Sequence, residues 1–301
     1  MDKSYLEYEK RGYGQDHQFY DWQQGKDRPK LGWKDGVKVA VNLIVPLEFF
    51  PLNPSGMPFK HPGAMVTPYP DLRHFTVRDY GNRVGVFRIL NALQNADIKA
   101  SFAVNGEIAK RYPPLLKMIT KAGHEIIAHG MSTDHIHHEA MSESTEMQLI
   151  TDTLSCFDTP PKGWMSPASG QSSRSLDLLA KAGLNYCLDW EMDSVPVATK
   201  NGLNLIPNAY ELSDFTLLHT RRQTEESWLT QIQNAVSYLL EDHNRFGAQS
   251  LGITLTPYII GQPFRIWALK ALLTYIADIN GASIVSLSDI DAQFRTQSSV
   301  T

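Results

Sequence analysis

Residues 99–130, KASFAVNGEIAKRYPPLLKMITKAGHEIIAHG, read as strand, helix, strand. KASFAVN and HEIIAHG are short apolar runs of the kind that form buried strands. Between them, YPPLLKMITKAG opens on prolines and closes on a glycine. Proline's missing N–H costs nothing in a first helical turn, and glycine accepts the left-handed backbone that ends a helix. Two strands joined through a helix lie parallel, so this stretch is a βα unit of a parallel sheet.

The same alternation extends in both directions. Upstream, VKVAVNLIV (37–45) is a β-branched run, and VGVFRILNALQNA places Val86, Leu90 and Leu93 at helical spacing. Downstream, SESTEMQLITDTLSCF carries Glu143 and Glu146 in its first turn, where the helix dipole favours acids. GWMSP, SRSLDLLAKAG and LNYCLDW repeat the pattern. Later come a helix with Trp228, Ile232, Val236 and Leu239, then SLGITL, PFRIWALKALLTYIADI and SIVSL. Seven or eight such strands fit a distorted (β/α)7-8 barrel better than two dinucleotide-binding halves, and no GxGxxG follows any candidate strand. The domain expected is a single α/β barrel over residues 36–301. Residues 1–35, rich in Tyr, Trp and charge, read as an N-terminal arm over the body or over a neighbouring subunit. Residues 51–70 hold six prolines and form a loop at the barrel mouth.

Apolar residues make up 42% of the 301 and charged residues 20%, the balance of a globular chain with a sizeable core. The net charge of −4 argues against nucleic acid or an anionic membrane as partner. Cys156 and Cys187 read as two buried thiols, with a single disulfide as the alternative. The N-terminus shows no apolar segment of the signal-peptide kind, and no run approaches a membrane span, so a cytoplasmic protein is expected.

In parallel barrels chemistry sits where strands end and loops begin. Four strand ends qualify: LEFF with Glu48, HEIIAHG with His129, GWMSP with Trp164, Met165 and Ser166, and LTPYIIGQPFR with Thr256 and Pro257. A carboxylate following an apolar strand reads as a general base, or else as an ion pair with Arg83 or Arg88. His129 reads as an acid, base or substrate ligand. His124 opens its strand at the opposite end and reads as structural. Trp164 is a pocket floor or wall packing. Tyr80 and Arg83 could anchor a carboxylate or ureido group, or cap the next helix. Asp189 and Asp193 hold loops or orient a catalytic group, and His219 is a surface or pocket residue.

The ordered set GHEIIAHG, GWMSP with LDLLAKAGLNY, DWEMDSVP and GITLTPYIIGQPFRIWALKALLTYI resembles the motifs of the polysaccharide deacetylase superfamily (NodB homology) over roughly residues 36–290. The last motif is most similar to that of the metal-independent, allantoinase-like branch. The resemblance implies the superfamily's barrel and hydrolysis of carbon–nitrogen bonds other than peptide bonds, with Glu48 as base and His129 in the second motif. The departures are specific. Phe49 stands where a metal-binding acid belongs, Thr133 where the second histidine of His-x-x-x-His belongs, Met165 for an arginine and Thr256 for a histidine. A zinc site needs three protein ligands, so no cofactor is expected. The segment MSTDHIHHEAM offers the alternative, a divalent metal such as zinc on His129, Asp134 and His135. Otherwise Asp134 and His137 contact substrate, together with Tyr80, Arg83, Trp164, Met165, Ser166 and Thr256.

The expected function is hydrolysis of an amide or cyclic ureide. Glu48 activates water, and His129 with backbone N–H groups near Met165 and Ser166 stabilises the oxyanion. The alternatives are a metal-dependent deacetylase of amino sugars in carbohydrate metabolism and a non-catalytic metabolite-binding barrel. A small-molecule substrate is the expected partner. The aromatic arm and proline-rich loop, with the oligomeric state of the branch it resembles, point to a homo-oligomer, a dimer or tetramer.

Overall fold

The structure, a computed structural model, describes residues 17–57 and 67–298. The first sixteen residues of the expected arm and residues 58–66 of the proline-rich loop lie outside that description. The strands are β1 (Val39–Leu47), β2 (Ser101–Val104), β3 (Glu125–Ala128), β4 (Gly163–Trp164), β5 (Tyr186–Cys187), β6 (Val197–Ala198), β7 (Asn204–Leu205), β8 (Gln249–Thr254) and β9 (Ala282–Ile284). They form a sheet in the order β6-β7-β5-β4-β3-β2-β1-β8, with β9 on β1. Every pair is parallel except β6 with β7. The helices are α1 (Leu72–Tyr80), α2 (Val86–Asn95), α3 (Gly106–Arg111), α4 (Pro113–Lys121), α5 (Glu143–Leu154), α6 (Ser175–Lys181), α7 (Glu225–Phe246), α8 (Ile266–Asp278) and α9 (Leu287–Ser298).

Strand alternation divides the core in two. Val39, Val41, Leu43, Val45 and Leu47 face outward and pack with Ile89 and Leu93 of α2 and Leu272 and Ile276 of α8. Ala40 and Ile44 face inward, with Ala103, Ile127, Met165, Tyr186 and Ile206 from the other strands. Burying one such Val, Leu or Ile side chain contributes about 1.5–3 kcal/mol. β1 lies at the centre, which is why both of its faces are apolar.

The sheet curls but its edges are not joined by a ladder. Instead the Ala209 N–H donates to Gly252 O, and the Ser250 N–H to Ser194 O, so the chain after β7 and the chain before β6 both reach across the gap to β8. Gly252 permits this approach, because a Cβ there would stand 2.9 Å from Asn208 Cα and from Pro207 O. At the N-terminal end α9 plugs the barrel. Glu125 accepts the first N–H groups of α9, from Leu287 and Ser288, together with the hydroxyls of Ser101 and Tyr186.

The expected barrel is thus present in distorted form. Two details depart from the sequence reading. The helix read in YPPLLKMITKAG is α4, and a short further helix that the reading did not give, α3, precedes it and ends at Arg111. The proline-rich loop gives way to α1, which runs through a π-helical turn at Gly81–Gly85 into α2. Of the arm, Phe19 and Tyr20 pack on the outer core, Arg28 pairs with Asp193 at 3.2 Å, and Trp33 Nε1 donates to Gln249 O. Cys156 and Cys187 are both free thiols. Among the described residues no helix is long and apolar enough to cross a membrane.

Candidate active site

β1 continues past Leu47 with the same alternation, so Glu48 follows Ala40 and Ile44 on the inner face at the C-terminal mouth. His129 follows Ile127 on β3 in the same way. The two side chains meet there, His129 Nε2 lying 3.6 Å from Glu48 Oε1. His129 is buried, and its Nδ1 lies 2.7 Å from Met165 O. A carbonyl only accepts, so Nδ1 carries a proton and Nε2 is the ring nitrogen turned toward Glu48. Nε2 has no hydrogen-bond partner.

Asn105, at the end of β2, holds both strand ends in register. Its Oδ1 accepts the Phe49 N–H at 2.7 Å and its Nδ2 donates to His129 O. Asn82, in the π-helical turn, donates to Glu48 O. Neither Arg83 nor Arg88 pairs with Glu48, because Arg83 reaches Asp79 and Arg88 binds Tyr80 and Gly261 O.

The cavity, about 130 Å³, is lined by Glu48, His129, Met165, Ser166, Asn208, Thr256 and Tyr258 among others. Two buried aspartates fix its walls from behind. Asp189 accepts the Ser166 N–H and the Gln171 amide, and burial pushes its carboxyl up. Asp214 accepts the N–H groups of Thr256 and Ile260 on Oδ2, while Oδ1 has no partner. Full burial pushes Asp214 up to about 7 against those hydrogen bonds. Ala168 and Ser169 on the rim have φ of 53° and 52°, a left-handed backbone that non-glycine residues adopt at some cost and that clusters at functional sites. Thr254 Oγ1 donates to Asn208 Oδ1, leaving the Asn208 Nδ2 donor for the cavity. Burial, with the nearby Glu48 charge, keeps the Tyr258 hydroxyl protonated far above the usual phenol range.

Met165, Ser166 and Thr256 line this cavity, whereas the structure places other residues read from the sequence elsewhere. The backbone N–H groups of Met165 and Ser166 are occupied, by Ala128 O and by Asp189, and cannot face an oxyanion. Trp164 pairs in register with Ala128, whose side chain faces outward, and it packs in the outer core instead of flooring the pocket. Arg83 is exposed in its ion pair with Asp79, and the Tyr80 hydroxyl is engaged by Arg88. His137 is buried against Glu146 and cannot contact substrate. His124 is structural as read, its Nδ1 accepting the Ala100 N–H.

Asp134 turns toward the proline-rich loop. It accepts the N–H groups of Ser55 and Gly56 and the Ser132 hydroxyl, with His135 3.3 Å away. Burial alone would raise its carboxyl, but these hydrogen bonds outweigh it and hold the group well below the usual carboxylate range. His135 Nδ1 is engaged by Ser132 Oγ, and the Thr133 hydroxyl by Phe49 O. The alternative metal set of His129, Asp134 and His135 is thus not assembled. Among the described residues no three His, Cys, Asp or Glu side chains converge as ligands. The donors present among the described residues do not fit the metal of the family that the sequence resembles.

The sequence reading missed Asn105, Asn208, Asp214 and Tyr258. An asparagine ending an apolar strand was the available signal for Asn105; the others reach the site only through long-range folding.

Residues 76–187 match the family model for polysaccharide deacetylase. A Schizosaccharomyces pombe protein, itself provisionally described as a polysaccharide deacetylase, is 21% identical, the match covering 88% of this chain and 93% of that protein. The fold superposes on the crystal structure of Puue allantoinase with a TM-score of 0.77 at 20% identity, covering 92% of this chain and 98% of that one. A Pseudomonas aeruginosa PAO1 structure with a similarly provisional polysaccharide deacetylase description gives 0.77 at 19% identity, over 90% and 95% of the two chains.

Proposed function

We propose that the chain, whose residues 76–187 match the polysaccharide deacetylase family model, is a hydrolase of carbon–nitrogen amide bonds whose substrates are cyclic amides or ureides and whose reaction uses no metal. The observation that carries the reading is the Glu48–His129 pair, 3.6 Å apart at one cavity around which, among the described residues, no ligand set converges. Likeness to an allantoinase fold adds to it.

In this mechanism Glu48 takes a proton from water, and the oxygen left behind attacks the amide carbonyl. The oxyanion receives hydrogen bonds from the Tyr258 hydroxyl and Asn208 Nδ2, in place of the backbone groups the sequence suggested. Met165 O fixes the His129 ring. The proton passes from Glu48 to Nε2 and from there to the leaving nitrogen, the C–N bond breaks, and a carboxylic acid and an amine result. An amino-sugar deacetylase using metal would need Asp134 and His135 released from the hydrogen bonds that hold them.

The test is turnover of a panel of hydantoins, cyclic imides and ureides, followed by loss of ring absorbance. Glu48→Gln is expected to lower kcat about 10²–10⁴-fold with Tm unchanged, the usual contribution of a positioned acid–base group. Turnover by Glu48→Gln at the wild-type rate would remove Glu48 from the mechanism. Ligand-induced stabilisation with no product from any compound would favour a binding protein instead.

A further inference from the structure

Arg78 lies in the last turn of α1 and is only 6% exposed. Its guanidinium sits 4.5 Å from the Phe50 ring centroid and 5.9 Å from that of Tyr258. A guanidinium offers five N–H donors in a planar fork. Here Nη1 makes one long contact, 3.5 Å to His74 O, the Tyr258 hydroxyl is engaged by the guanidinium, and Nε has no partner. Among the described residues Arg78 forms no ion pair, whereas the half-buried Arg28, Arg174, Arg265 and Arg295 each pair with a carboxylate. Burying an unpaired charge costs several kcal/mol, so a fold that keeps one has a use for its donors.

Arg78 lines a cavity of about 30 Å³ with Phe50, Tyr69, Asp71, Thr133 and Asp134. One water-sized group needs about 10–15 Å³, so the space suits two oxygens. Both carboxylates in its wall are already saturated. Asp134 holds the donors of Ser55, Gly56 and Ser132, and Asp71 accepts the His74 N–H and the Thr67 hydroxyl. Their charges ease the burial of the guanidinium through space, but among the described residues neither carboxylate takes a hydrogen bond from its fork, and Nε is left without a partner. Tyr258, beside that fork, also lines the Glu48–His129 cavity.

We propose that Arg78 anchors a carboxylate carried by the substrate, so that the preferred substrates are acidic members of the cyclic amide class. The position of the reacting carbonyl rests on the hydrolase reading; the anion site does not. Arg78 supplies the anchor that Arg83, exposed and paired with Asp79, cannot.

The test is calorimetric binding of hydantoin-5-acetate and its neutral analogue hydantoin-5-acetamide to the full chain carrying Glu48→Gln, which prevents turnover. The carboxylate is expected to bind at least about tenfold more tightly, the scale of a charge-assisted pair. Arg78→Met should erase the preference, and Arg78→Lys, which keeps charge but loses the fork, should retain part of it. If Arg78→Met does not fold, Arg78→Lys decides, with a several-fold loss of preference expected. Equal binding of the two probes, binding of neither, or an undiminished preference in the Arg78 variants overturns the proposal. A purely structural Arg78 would lower Tm and leave the preference intact. Charge-selective binding by a wild type that hydrolyses nothing would sink the hydrolase reading and leave the anion site standing. Hydrolysis without charge selectivity would do the reverse.

Discussion

Asp214 shows how one buried side chain can shape a site it does not enter. Its carboxyl is pushed up to about 7 from 3.8 by burial, so the folded protein binds this proton more tightly than the unfolded chain does. Stability contributed by the protonated form is fully present below about 3.8 and is lost as pH rises toward about 7. Asp214→Asn keeps an acceptor for the Thr256 and Ile260 N–H groups without ever ionising. Its Tm is expected to stay level across that interval, while the wild-type Tm declines relative to it. Parallel Tm–pH curves for the two proteins would show that Asp214 does not titrate there. At the same scale, the placement of Glu48 and His129 at strand ends on one face was readable from the sequence because strand parity and strand ends are local properties. The placement of Arg78, Asp214 and Tyr258 was not, because each acquires its surroundings from residues far along the chain. Trp164 stayed between pocket floor and wall packing for a related reason: β4 has two residues, too few for alternation to be seen.

Among the elements, the π-helical turn at Gly81–Gly85 and the turn after β8 interlock without side chains. A Cβ on Gly85 would stand 2.0 Å from Pro257 O, and one on Gly261 would stand 2.6 Å from Gly85 Cα. The contact is backbone against backbone, so it cannot be relieved by a rotamer change. Gly85→Ala is expected to cost about 1–3 kcal/mol, as overpacking does, and to move the turn that carries Thr256 and Tyr258. Chemical denaturation checks the first effect, and a raised KM with the Glu48–His129 chemistry intact checks the second. An unchanged denaturation midpoint would mean that the two turns slide freely. The strands themselves, and their parallel order, were legible as apolar runs separated by amphipathic helices. The closing of the sheet was not, since it rests on single hydrogen bonds from Ala209 and Ser250 rather than on a patterned strand.

For the whole molecule, the 130–141 loop is fastened to α5 and α6 by a buried polar cluster. Glu146 accepts from Ser172 and Ser175 and stands 3.2 Å from His137 Nδ1. Burial would raise the carboxyl, but the hydrogen bonds from His137, Ser172 and Ser175 prevail and lower it to about 2 from 4.5. A depressed carboxyl contributes stability above its unfolded value and loses it as pH falls through its folded value. Acid unfolding is therefore expected to develop between about pH 4.5 and pH 2, followed by circular dichroism. Glu146→Gln should be less stable at neutral pH and show a shallower acid dependence. An equally steep curve in that variant would assign the acid transition to other carboxyl groups.

The central claim is that Glu48 and His129 hydrolyse a cyclic amide bond without a metal. The most direct measurement is the rate of hydantoin or ureide ring opening by protein dialysed against a strong chelator, before and after adding back zinc. The account predicts the same rate in both states. Activity that vanishes on chelation and returns with zinc would contradict it.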